Sequence, residues 1–253
     1  MKELDNAFDY VAQFEADREE NLRRMNEDPE TARVTDAFVK QVGKYQYPYH
    51  FTWMGRPIIQ FPQDLITLQE AIMRVKPDLI IETGIAHGGS AVFYASMLEL
   101  LGDSNGIKRE VVAVDIDLRA HNRKALEEHP MWKRITVLDG SSTDESIVAI
   151  VSEIASRHSV ILAVLDSNHT HDHVYRELSL YAPLVTPGSY IVVLDTCVEL
   201  WGDDRDRPWG KGNNPYSAVQ QWLKENDDFS VDRMPDKQSI ITSCPEGWLL
   251  RVK

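Results

Sequence analysis

An apolar run followed at once by glycines constrains this chain more than any other part of its sequence. Residues 79–90 read Leu-Ile-Ile-Glu-Thr-Gly-Ile-Ala-His-Gly-Gly-Ser. The run is typical of a buried strand, and glycines directly after a strand let the backbone approach a ligand before the next helix begins. The segment therefore predicts a strand–loop–helix unit that binds a cofactor.

Short apolar runs alternate with helical patterns as far as residue 194, and this alternation predicts an α/β fold. It is typical of right-handed βαβ units and a mostly parallel sheet flanked by helices. The expected strands are 79–81, 111–114, 135–138, 160–165 and 190–194, and the expected helices are 64–75, 90–101, 119–128, 144–156 and 175–181. If the strand order is 3-2-1-4-5, ligands bind where strands one and four flank the switch in that order.

Two stretches flank this pattern. Residues 1–50 form a charge-rich N-terminal arm of one or two amphipathic helices, which is either a packing or oligomer arm or a lid over the active site. After the fifth strand come a long polar loop at 201–214, a helix at 216–225, and runs at 239–242 and 248–252 that predict a hairpin-like edge. We expect residues 51–253 to form one domain.

The chain is acidic, with a net charge of −13. This charge argues against sequence-independent binding of nucleic acid, which needs Lys and Arg to neutralise phosphates, and against an anionic membrane surface. No stretch reads as a signal peptide or a membrane span, and two cysteines cannot build a disulfide framework. We therefore expect a cytoplasmic protein.

Acidic residues at strand ends favour S-adenosylmethionine over NAD as the cofactor. NAD-binding folds favour G-x-G-x-x-G with an acid about 20 residues onward, whereas here Glu82 precedes Gly84 and Asp115 ends the second strand. Glu82 suits a cationic ammonium and sulfonium, and Asp115, or less readily Asp117, suits the ribose hydroxyls. The candidate cofactor contacts are Glu82, Gly84, Ala86, Gly88, Ser90, Asp115, Gly140, Ser142 and Asp166.

The turn after the third strand, residues 139–144, supplies two of the candidate cofactor contacts, because in this architecture it lies beside the adenine. Ser142 or a backbone N–H would bond the ring there. The alternative is that Ser141 to Asp144 only caps the next helix.

Asp166 and Asp195 each follow an apolar strand, the fourth and the fifth. Ligands of open α/β sheets gather at this carboxyl edge. The two carboxylates, with Thr196, therefore predict a site for a hard divalent cation such as Mg²⁺. The alternative is that both aspartates cap loops.

His169 lies three residues after Asp166, in a stretch that also contains His171 and His173. A neutral imidazole there would accept the proton of a substrate hydroxyl acidified by the metal, so His169 and Asp166 are the candidate catalytic residues. Three alternatives are open: a structural histidine, a zinc or iron site built from the alternating histidines, and a helix cap formed by Asp172 or His173.

Several motifs together resemble one known family. They lie at residues 51–64, 82–90, 166–174, 182–190, 212–219 and 245–249. From about residue 50 to the end, the chain is similar to the cephalosporin-hydroxylase-like family. Its members look like class I O-methyltransferases, some acting in cephamycin assembly and others on sugar hydroxyls such as rhamnosyl groups.

The resemblance implies a Rossmann-like sheet of seven strands, S-adenosylmethionine as cofactor, and Mg²⁺ or another divalent cation held by Asp166 and Asp195. More distantly, the site is similar to that of the catechol-type O-methyltransferases. There a basic lysine holds the place of His169, and an asparagine ligand holds the place of Thr196. A homo-oligomer is also implied, in keeping with the N-terminal arm.

We expect the chain to transfer a methyl group from S-adenosylmethionine to a hydroxyl of a small polar acceptor, a sugar or glycosylated metabolite. Trp201, Trp209 and Lys211 are candidate acceptor contacts, unless their loop packs on a neighbouring subunit. The alternatives are an NAD-dependent oxidoreductase or epimerase, a non-catalytic cofactor-binding partner, and an iron and 2-oxoglutarate enzyme.

Overall fold

The computed structural model describes residues 2–104, 106–202 and 206–253, with side chains from residue 10 onward. The α-helices are α1 (Lys2–Glu27), α2 (Pro29–Gly43), α3 (Pro62–Val75), α4 (Gly89–Leu101), α5 (Ala120–Glu127), α6 (Glu145–Ala155), α7 (His171–Tyr181), α8 (Val198–Trp201), α9 (Pro215–Trp222) and α10 (Met234–Ser239). The strands are β1 (Phe51–Trp53), β2 (Arg56–Ile58), β3 (Leu79–Thr83), β4 (Glu110–Asp115), β5 (Ile135–Asp139), β6 (Ile161–Leu165), β7 (Tyr190–Val193), β8 (Phe229–Val231) and β9 (Trp248–Arg251).

Seven of these strands form one sheet in the order β5-β4-β3-β6-β7-β9-β8. The strands from β5 to β7 pair in parallel, whereas β9 is antiparallel to both β7 and β8. The first five strands of the sheet therefore have the expected order 3-2-1-4-5. The predicted Rossmann-like α/β class and its seven mostly parallel strands are confirmed, and β3 and β6 flank the switch in strand order.

The central strands are buried on both faces, which explains their continuous apolar sequence. In β3, Ile80 packs on the face covered by α3 and α4, whereas Leu79 and Ile81 pack on the face covered by α6, α7 and α9. Successive side chains of a strand point to opposite faces, so both faces of such a strand need apolar residues. The polar residues at the strand ends are consequently held by a rigid sheet.

The N-terminal arm consists of two helices that separate at Asp28. The Asp28 side chain accepts hydrogen bonds from the backbone N–H groups of Glu30 and Thr31 and so caps α2. At the end of α1, the Asn26 amide donates to the carbonyl oxygen of Lys237 at 2.9 Å, which fastens the arm near α10. None of the described helices is both long enough and apolar enough to span a membrane.

The hairpin of β1 and β2 was not anticipated from the sequence. Its turn is Met54-Gly55, with φ angles of 46° and 84°. Two central residues with positive φ are typical of tight hairpin turns, so a glycine between Phe-Thr-Trp and Arg-Pro-Ile was the available signal. The hairpin places Arg56 beside the glycine-rich segment.

The predicted hairpin of residues 239–242 with 248–252 is wrong. The partner of β9 is β8, Phe229–Val231. Residues up to Ser239 instead form α10, a helix with proline in its first turn. Just beyond, the backbone N–H and the hydroxyl of Ser243 donate to the Asp64 carboxylate at 2.8 and 2.7 Å, so this segment is held by α3 rather than by a strand ladder.

Candidate active site

A cavity of about 960 Å³ opens at the carboxyl edge of β3, β4, β6 and β7. It lies where ligands bind in open α/β sheets, beside the switch between β3 and β6. The predicted site residues that line it are Gly84, Ala86, Ser90, Asp115, Asp166, His169 and Asp195. The predicted site residues that do not line it are Glu82, Gly88, Gly140, Ser142 and Thr196.

Gly84 begins the glycine loop, residues 84–90, in a space that admits no side chain. Its φ is +88°, and a Cβ atom placed on it would lie 2.0 Å from the carbonyl oxygen of Asp166. Gly89 is equally confined, because its Cβ would lie 2.2 Å from the carbonyl oxygen of Pro57. The glycines therefore let the loop pack directly against the backbone that follows β6 and against β2.

Asp115 anchors the glycine loop from the end of β4. Its Oδ2 accepts hydrogen bonds from the backbone N–H groups of Ile85 at 2.7 Å and Ala86 at 3.2 Å. Its Oδ1 accepts a third, from the N–H of Asp117 at 2.8 Å. The sequence predicted Asp115 as a ribose contact. In the structure it lines the cavity and also fixes the loop, a role that the sequence did not indicate.

Arg56 and Asn122 hold the carbonyl groups of the same loop. Arg56 donates from Nε at 3.0 Å and from Nη2 at 2.5 Å to the carbonyl oxygen of His87. Asn122 donates to the carbonyl oxygen of Ala86 at 2.9 Å and accepts from Arg56 at 3.1 Å. Ala86 has a φ of 47°, a left-handed conformation that is uncommon for alanine. These side chains therefore hold the loop in a shape that alanine does not favour.

Glu82 lies beneath the loop and is 1% exposed. Burial is the main cause that raises the pKa of its carboxyl group to about 8; a hydrogen bond from Ser90 opposes the rise and the charge of the nearby Asp115 adds to it. Its Oε2 has no hydrogen-bond partner among the described residues. Glu82 therefore lies near the predicted cofactor site as a largely protonated acid at neutral pH.

Asp166, His169 and Asp195 form an acidic cluster at the ends of β6 and β7. One candidate ligand atom from each lies within 4.8 Å of the others, and His169 Nε2 is 3.2 Å from Asp195 Oδ2. Burial, followed by the charges of Asp195, Glu82 and Glu177, raises the pKa of Asp166 well above its ordinary value. Two close carboxylates and an imidazole are a donor set that fits a divalent cation.

Thr196 was predicted as a metal ligand, but the structure does not bring it to this cluster. Its side chain is fully buried, and its hydroxyl donates to the carbonyl oxygen of Pro245 at 2.7 Å. Asp195 has a φ of 56°, and its carboxylate lines the cavity while the next residue packs inward. In the described structure, the third group of the cluster is His169.

Ser142 was predicted beside the adenine, but its side chain does not line the cavity and belongs to a buried network that reaches the cavity at Ser167. Its hydroxyl lies 3.1 Å from His173 Nε2, which is in turn 3.0 Å from the hydroxyl of Ser167. Ser167 donates to the carboxylate of Glu177 at 2.7 Å. The Ser142 hydroxyl therefore does not lie on the cavity wall.

The three neighbouring histidines separate into different environments. His169 lies in the cavity, His173 lies in the buried network, and His171 Nδ1 is 2.9 Å from the Ser217 hydroxyl of α9. Within the described part of the chain, they do not converge on one metal site. The alternating-histidine alternative for zinc or iron is therefore not supported by the geometry.

Aromatic and basic side chains form the outer wall of the cavity. The ring of Trp209 meets the ring of His169 edge-on with centroids 4.8 Å apart, and the guanidinium of Arg207 lies 5.3 Å from the Trp209 centroid. Trp201 also lines the cavity, whereas Lys211 does not. Residues 203–205 of the predicted polar loop lie outside the described residues.

The N-terminal arm also contributes to the wall of the cavity. Val39, Lys40 and Lys44, at the end of α2, line the cavity. Farther out, Tyr10 and Phe14 of α1 are 72% and 57% exposed. One part of the arm thus lies at the site, as expected of a lid, while another presents apolar side chains to solvent.

A search of protein families places this architecture. The sequence model described as "Rhamnosyl O-methyltransferase/CmcI" matches residues 45–252, nearly the whole chain. The chain belongs to the rhamnosyl O-methyltransferase/CmcI family. Membership confirms the resemblance noted from the sequence, and it confirms the predicted class of enzyme, an S-adenosylmethionine-dependent O-methyltransferase.

Curated relatives within the family include two mycobacterial enzymes named rhamnosyl O-methyltransferase. The protein of Mycobacterium tuberculosis (strain ATCC 25618 / H37Rv) is 29% identical over 225 residues, which cover 87% of each chain. The protein of Mycobacterium leprae (strain TN) is 29% identical over 225 residues, which cover 87% of this chain and 93% of the relative. The similarity thus spans most of both chains.

Two solved structures share the fold of this chain at low sequence identity. CmcI with Mg and S-adenosylmethionine aligns with a TM-score of 0.57 and 17% identity, covering 81% of this chain and 78% of that one. CalS11, described as a TDP-rhamnose 3′-O-methyltransferase of calicheamicin biosynthesis, aligns with a TM-score of 0.52 and 15% identity, covering 89% of this chain and 95% of that one.

Proposed function

We propose that this enzyme transfers a methyl group from S-adenosylmethionine to a hydroxyl on the sugar unit of a small glycosylated acceptor, with the help of a divalent cation. The observation that carries the proposal is the cluster of Asp166, His169 and Asp195, which shares one cavity with the glycine loop. The names of the mycobacterial relatives and of CalS11 support a sugar acceptor.

The cofactor would lie over the glycine loop. Asp115, at the end of β4, would accept a hydrogen bond from a ribose hydroxyl, since its carboxylate has about four acceptor positions and backbone N–H groups occupy three of them. The adenine would then extend towards the turn at Gly140. Glu82 beneath the loop would favour the positive charges of the ammonium and sulfonium groups.

Asp166 and Asp195 would hold Mg²⁺ or a similar cation. When bound, the cation would polarise the acceptor hydroxyl and so lower its pKa. The carboxylates fit this role because burial and the charge of Asp195 raise the pKa of Asp166, so Asp166 is unfavourable in its charged form without a cation. A divalent cation would remove that repulsion.

His169 would take the proton of the acceptor hydroxyl. Asp195 and the ring of Trp209 fix the orientation of the imidazole in the cavity. As the bond between the methyl carbon and sulfur breaks, the bond between that carbon and the acceptor oxygen forms, and the proton passes to the imidazole. S-adenosylhomocysteine leaves uncharged at sulfur. Alignment alone can supply about 7–11 kcal/mol of such a barrier.

The exposed wall of the cavity would receive the sugar. Trp209 and Trp201 offer rings for stacking, and Arg207 beside Trp209 adds a positive charge at the entrance. The end of α2 would close the site from the other side, so we assign residues 1–50 to an arm that partly covers the acceptor. The exposed Tyr10 and Phe14 of α1 would serve contact with a second copy of the chain.

The test is transfer of a labelled methyl group. The protein is incubated with deuteromethyl-labelled S-adenosylmethionine, TDP-rhamnose or a simple rhamnoside, and Mg²⁺, and products are read by mass spectrometry with and without EDTA. We expect a labelled, O-methylated sugar that disappears with EDTA. A labelled product that is indifferent to EDTA would remove the cation from the mechanism, and cofactor binding without transfer to any acceptor would favour a non-catalytic partner.

A further inference from the structure

The side-chain amide of Gln60 is buried without a hydrogen bond. The residue is 3% exposed, and neither Oε1 nor Nε2 has a partner of normal geometry among the described residues. Gln60 nevertheless lines the cavity. Because buried polar groups in folded proteins are almost always hydrogen-bonded, an unpaired amide on a cavity wall points to a ligand.

Two more unpaired polar atoms belong to the same region. They are the hydroxyl of Tyr94, on α4, and Oε2 of Glu82, on β3, and both side chains are buried. The amide of Gln60 is the polar neighbour of the Tyr94 hydroxyl, although the contact lacks hydrogen-bond geometry. The segment before α3, the helix α4 and the strand β3 therefore bring three polar groups together.

The position of Gln60 follows from the packing of its segment. Gly89 has no side chain, so the backbone of Pro57 and the side chain of Ile58 lie directly against the start of α4. Gln60 is two residues farther along and lines the same cavity as Gly84 and Ser90. Its amide thus shares the cavity with the glycine loop.

The three groups complement an α-amino acid. The amide offers both donors and an acceptor. Burial, followed by the charges of Glu82 and Asp166, raises the pKa of Tyr94 well above its ordinary value, so its hydroxyl remains a donor. Glu82 supplies a carboxyl oxygen that accepts. A carboxylate needs such donors and an ammonium needs such acceptors, and both hydrogen bonds are strengthened by the charge of the ligand.

We propose that Gln60, with Tyr94 and Glu82, binds the α-amino-acid end of S-adenosylmethionine and that Gln60 Nε2 donates to its carboxylate. This inference rests on the proposed function, because it assumes that cofactor. It adds a binding residue from outside the glycine loop and explains why three elements leave buried polar atoms unpaired at one place.

The test compares two ligands that differ in the amino-acid part. S-adenosylhomocysteine carries it, whereas 5′-methylthioadenosine retains only the nucleoside and sulfur. Their affinities are measured by calorimetry for the unaltered chain, for Gln60→Met, for Gln60→Glu, and for Gln221→Met as the matched control. Gln221 is an exposed glutamine of α9 that does not line the cavity.

We expect Gln60→Met to lower the affinity for S-adenosylhomocysteine by about 10- to 100-fold, which is the effect of losing a hydrogen bond to a charged group. The affinity for 5′-methylthioadenosine should be unchanged. The thermal stability of the free protein should be unchanged or higher, since methionine removes an unpaired amide, whereas a structural glutamine would lose stability. If Gln60→Met does not fold, Gln60→Glu decides, because it keeps the shape and should repel the ligand carboxylate.

Two results overturn the inference. If Gln60→Met lowers the affinity for both ligands equally, Gln60 is a structural residue. If Gln60→Met binds S-adenosylhomocysteine as the unaltered chain does, the amino-acid end binds elsewhere. Failure of the unaltered chain to bind either ligand is distinct, because it removes the proposed cofactor itself. Gln221→Met should match the unaltered chain with both ligands.

Discussion

His169 Nε2 lies 3.2 Å from Asp195 Oδ2, so the candidate base and a candidate metal ligand form a pair across the ends of β6 and β7. The aspartate orients the imidazole, as carboxylates commonly do for histidines at reactive sites. One ring nitrogen cannot bind a cation and remove a proton at the same time. The proposed role as a base and a role as a metal ligand therefore predict different effects of replacing His169.

Replacing His169 by glutamine separates these roles. If His169 is the base, His169→Gln lowers kcat by about 10²- to 10⁴-fold, the usual contribution of a positioned base, and leaves the affinity for Mn²⁺ or Mg²⁺ nearly unchanged. Steady-state kinetics and metal titration measure the two effects. His171→Gln is the matched control and should remain active, because His171 contacts Ser217 outside the cavity. A collapse of metal affinity would make His169 a ligand instead.

Asp166→Asn should stabilise the metal-free protein while abolishing its response to the cation. Burial and the charge of Asp195 raise the pKa of Asp166, so the folded state binds a proton more tightly than the unfolded state. The contribution of Asp166 to the free energy of unfolding therefore falls as the pH rises through its folded-state pKa. Asparagine does not ionise, so the Asp166→Asn protein does not lose this stability.

Thermal melts at neutral and alkaline pH, with and without Mg²⁺, measure both effects of Asp166→Asn. Asp172→Asn, on the exposed first turn of α7, is the control and should retain the stabilisation by Mg²⁺. An Asp166→Asn protein that is still stabilised by Mg²⁺ to the original extent would show that the cation binds elsewhere.

Cofactor binding should release a proton from Glu82. The pKa of this buried carboxyl is raised to about 8, so it is mostly protonated at neutral pH. Nearby positive charge on the cofactor favours the ionised form, so affinity should rise as pH increases towards that value. Calorimetry in buffers of different ionisation enthalpy counts the released protons. Glu82→Gln should remove the release, and release that persists in this variant would assign the proton to another group.

Arg56 and Asn122 should act on cofactor binding more than on turnover. Arg56→Lys or Asn122→Ala removes hydrogen bonds to the carbonyls of His87 and Ala86, each worth about 0.5–1.5 kcal/mol. We expect KM for the cofactor to rise about 2- to 10-fold per lost bond, with kcat little changed. Arg33→Lys, in an exposed ion pair of α2, is the control. A fall in kcat of similar size, with KM for the cofactor unchanged, would contradict the proposal that these residues hold the glycine loop.

Gly84→Ala should be among the most damaging single-methyl changes in the chain. The added Cβ would lie 2.0 Å from the carbonyl oxygen of Asp166, and φ of +88° disfavours alanine. Relief requires the glycine loop to move, so we expect a loss of stability of about 2–4 kcal/mol or more. Gly43→Ala, which meets nothing within 4 Å, should be nearly neutral. Denaturant melts compare the two, and equal stabilities would show that the loop adapts freely.

The sheet could be predicted because its strands are buried on both faces. The continuous apolar runs of β3 and β6 and the polar residues directly after them leave few other folds open. Asp166 and Asp195 were predicted to lie together for the same reason, since the ends of neighbouring parallel strands meet at one edge. The partner of β9 could not be predicted, because β8 has only three residues.

Side-chain direction at the strand ends could not be predicted. The left-handed backbone of Asp195 and the carbonyl of Pro245 decide that Thr196 faces inward, and neither leaves a pattern in the sequence. Arg56 and Gln60 were missed for a related reason. Arg56 bonds a backbone carbonyl of a distant loop, and the proposed partner of Gln60 is the cofactor, so no spacing along the chain marks either residue.

The contact between Gly84 and Asp166 has a consequence for how the two halves of the site communicate. A Cβ atom on Gly84 would lie 2.0 Å from the carbonyl oxygen of Asp166, so the two backbone segments pack directly against each other. Occupancy of the cofactor position at the glycine loop would therefore alter the affinity of the carboxylate cluster for the cation, and by thermodynamic reciprocity the cation would alter cofactor affinity by the same factor. The two ligands would bind with interdependent rather than separate dissociation constants.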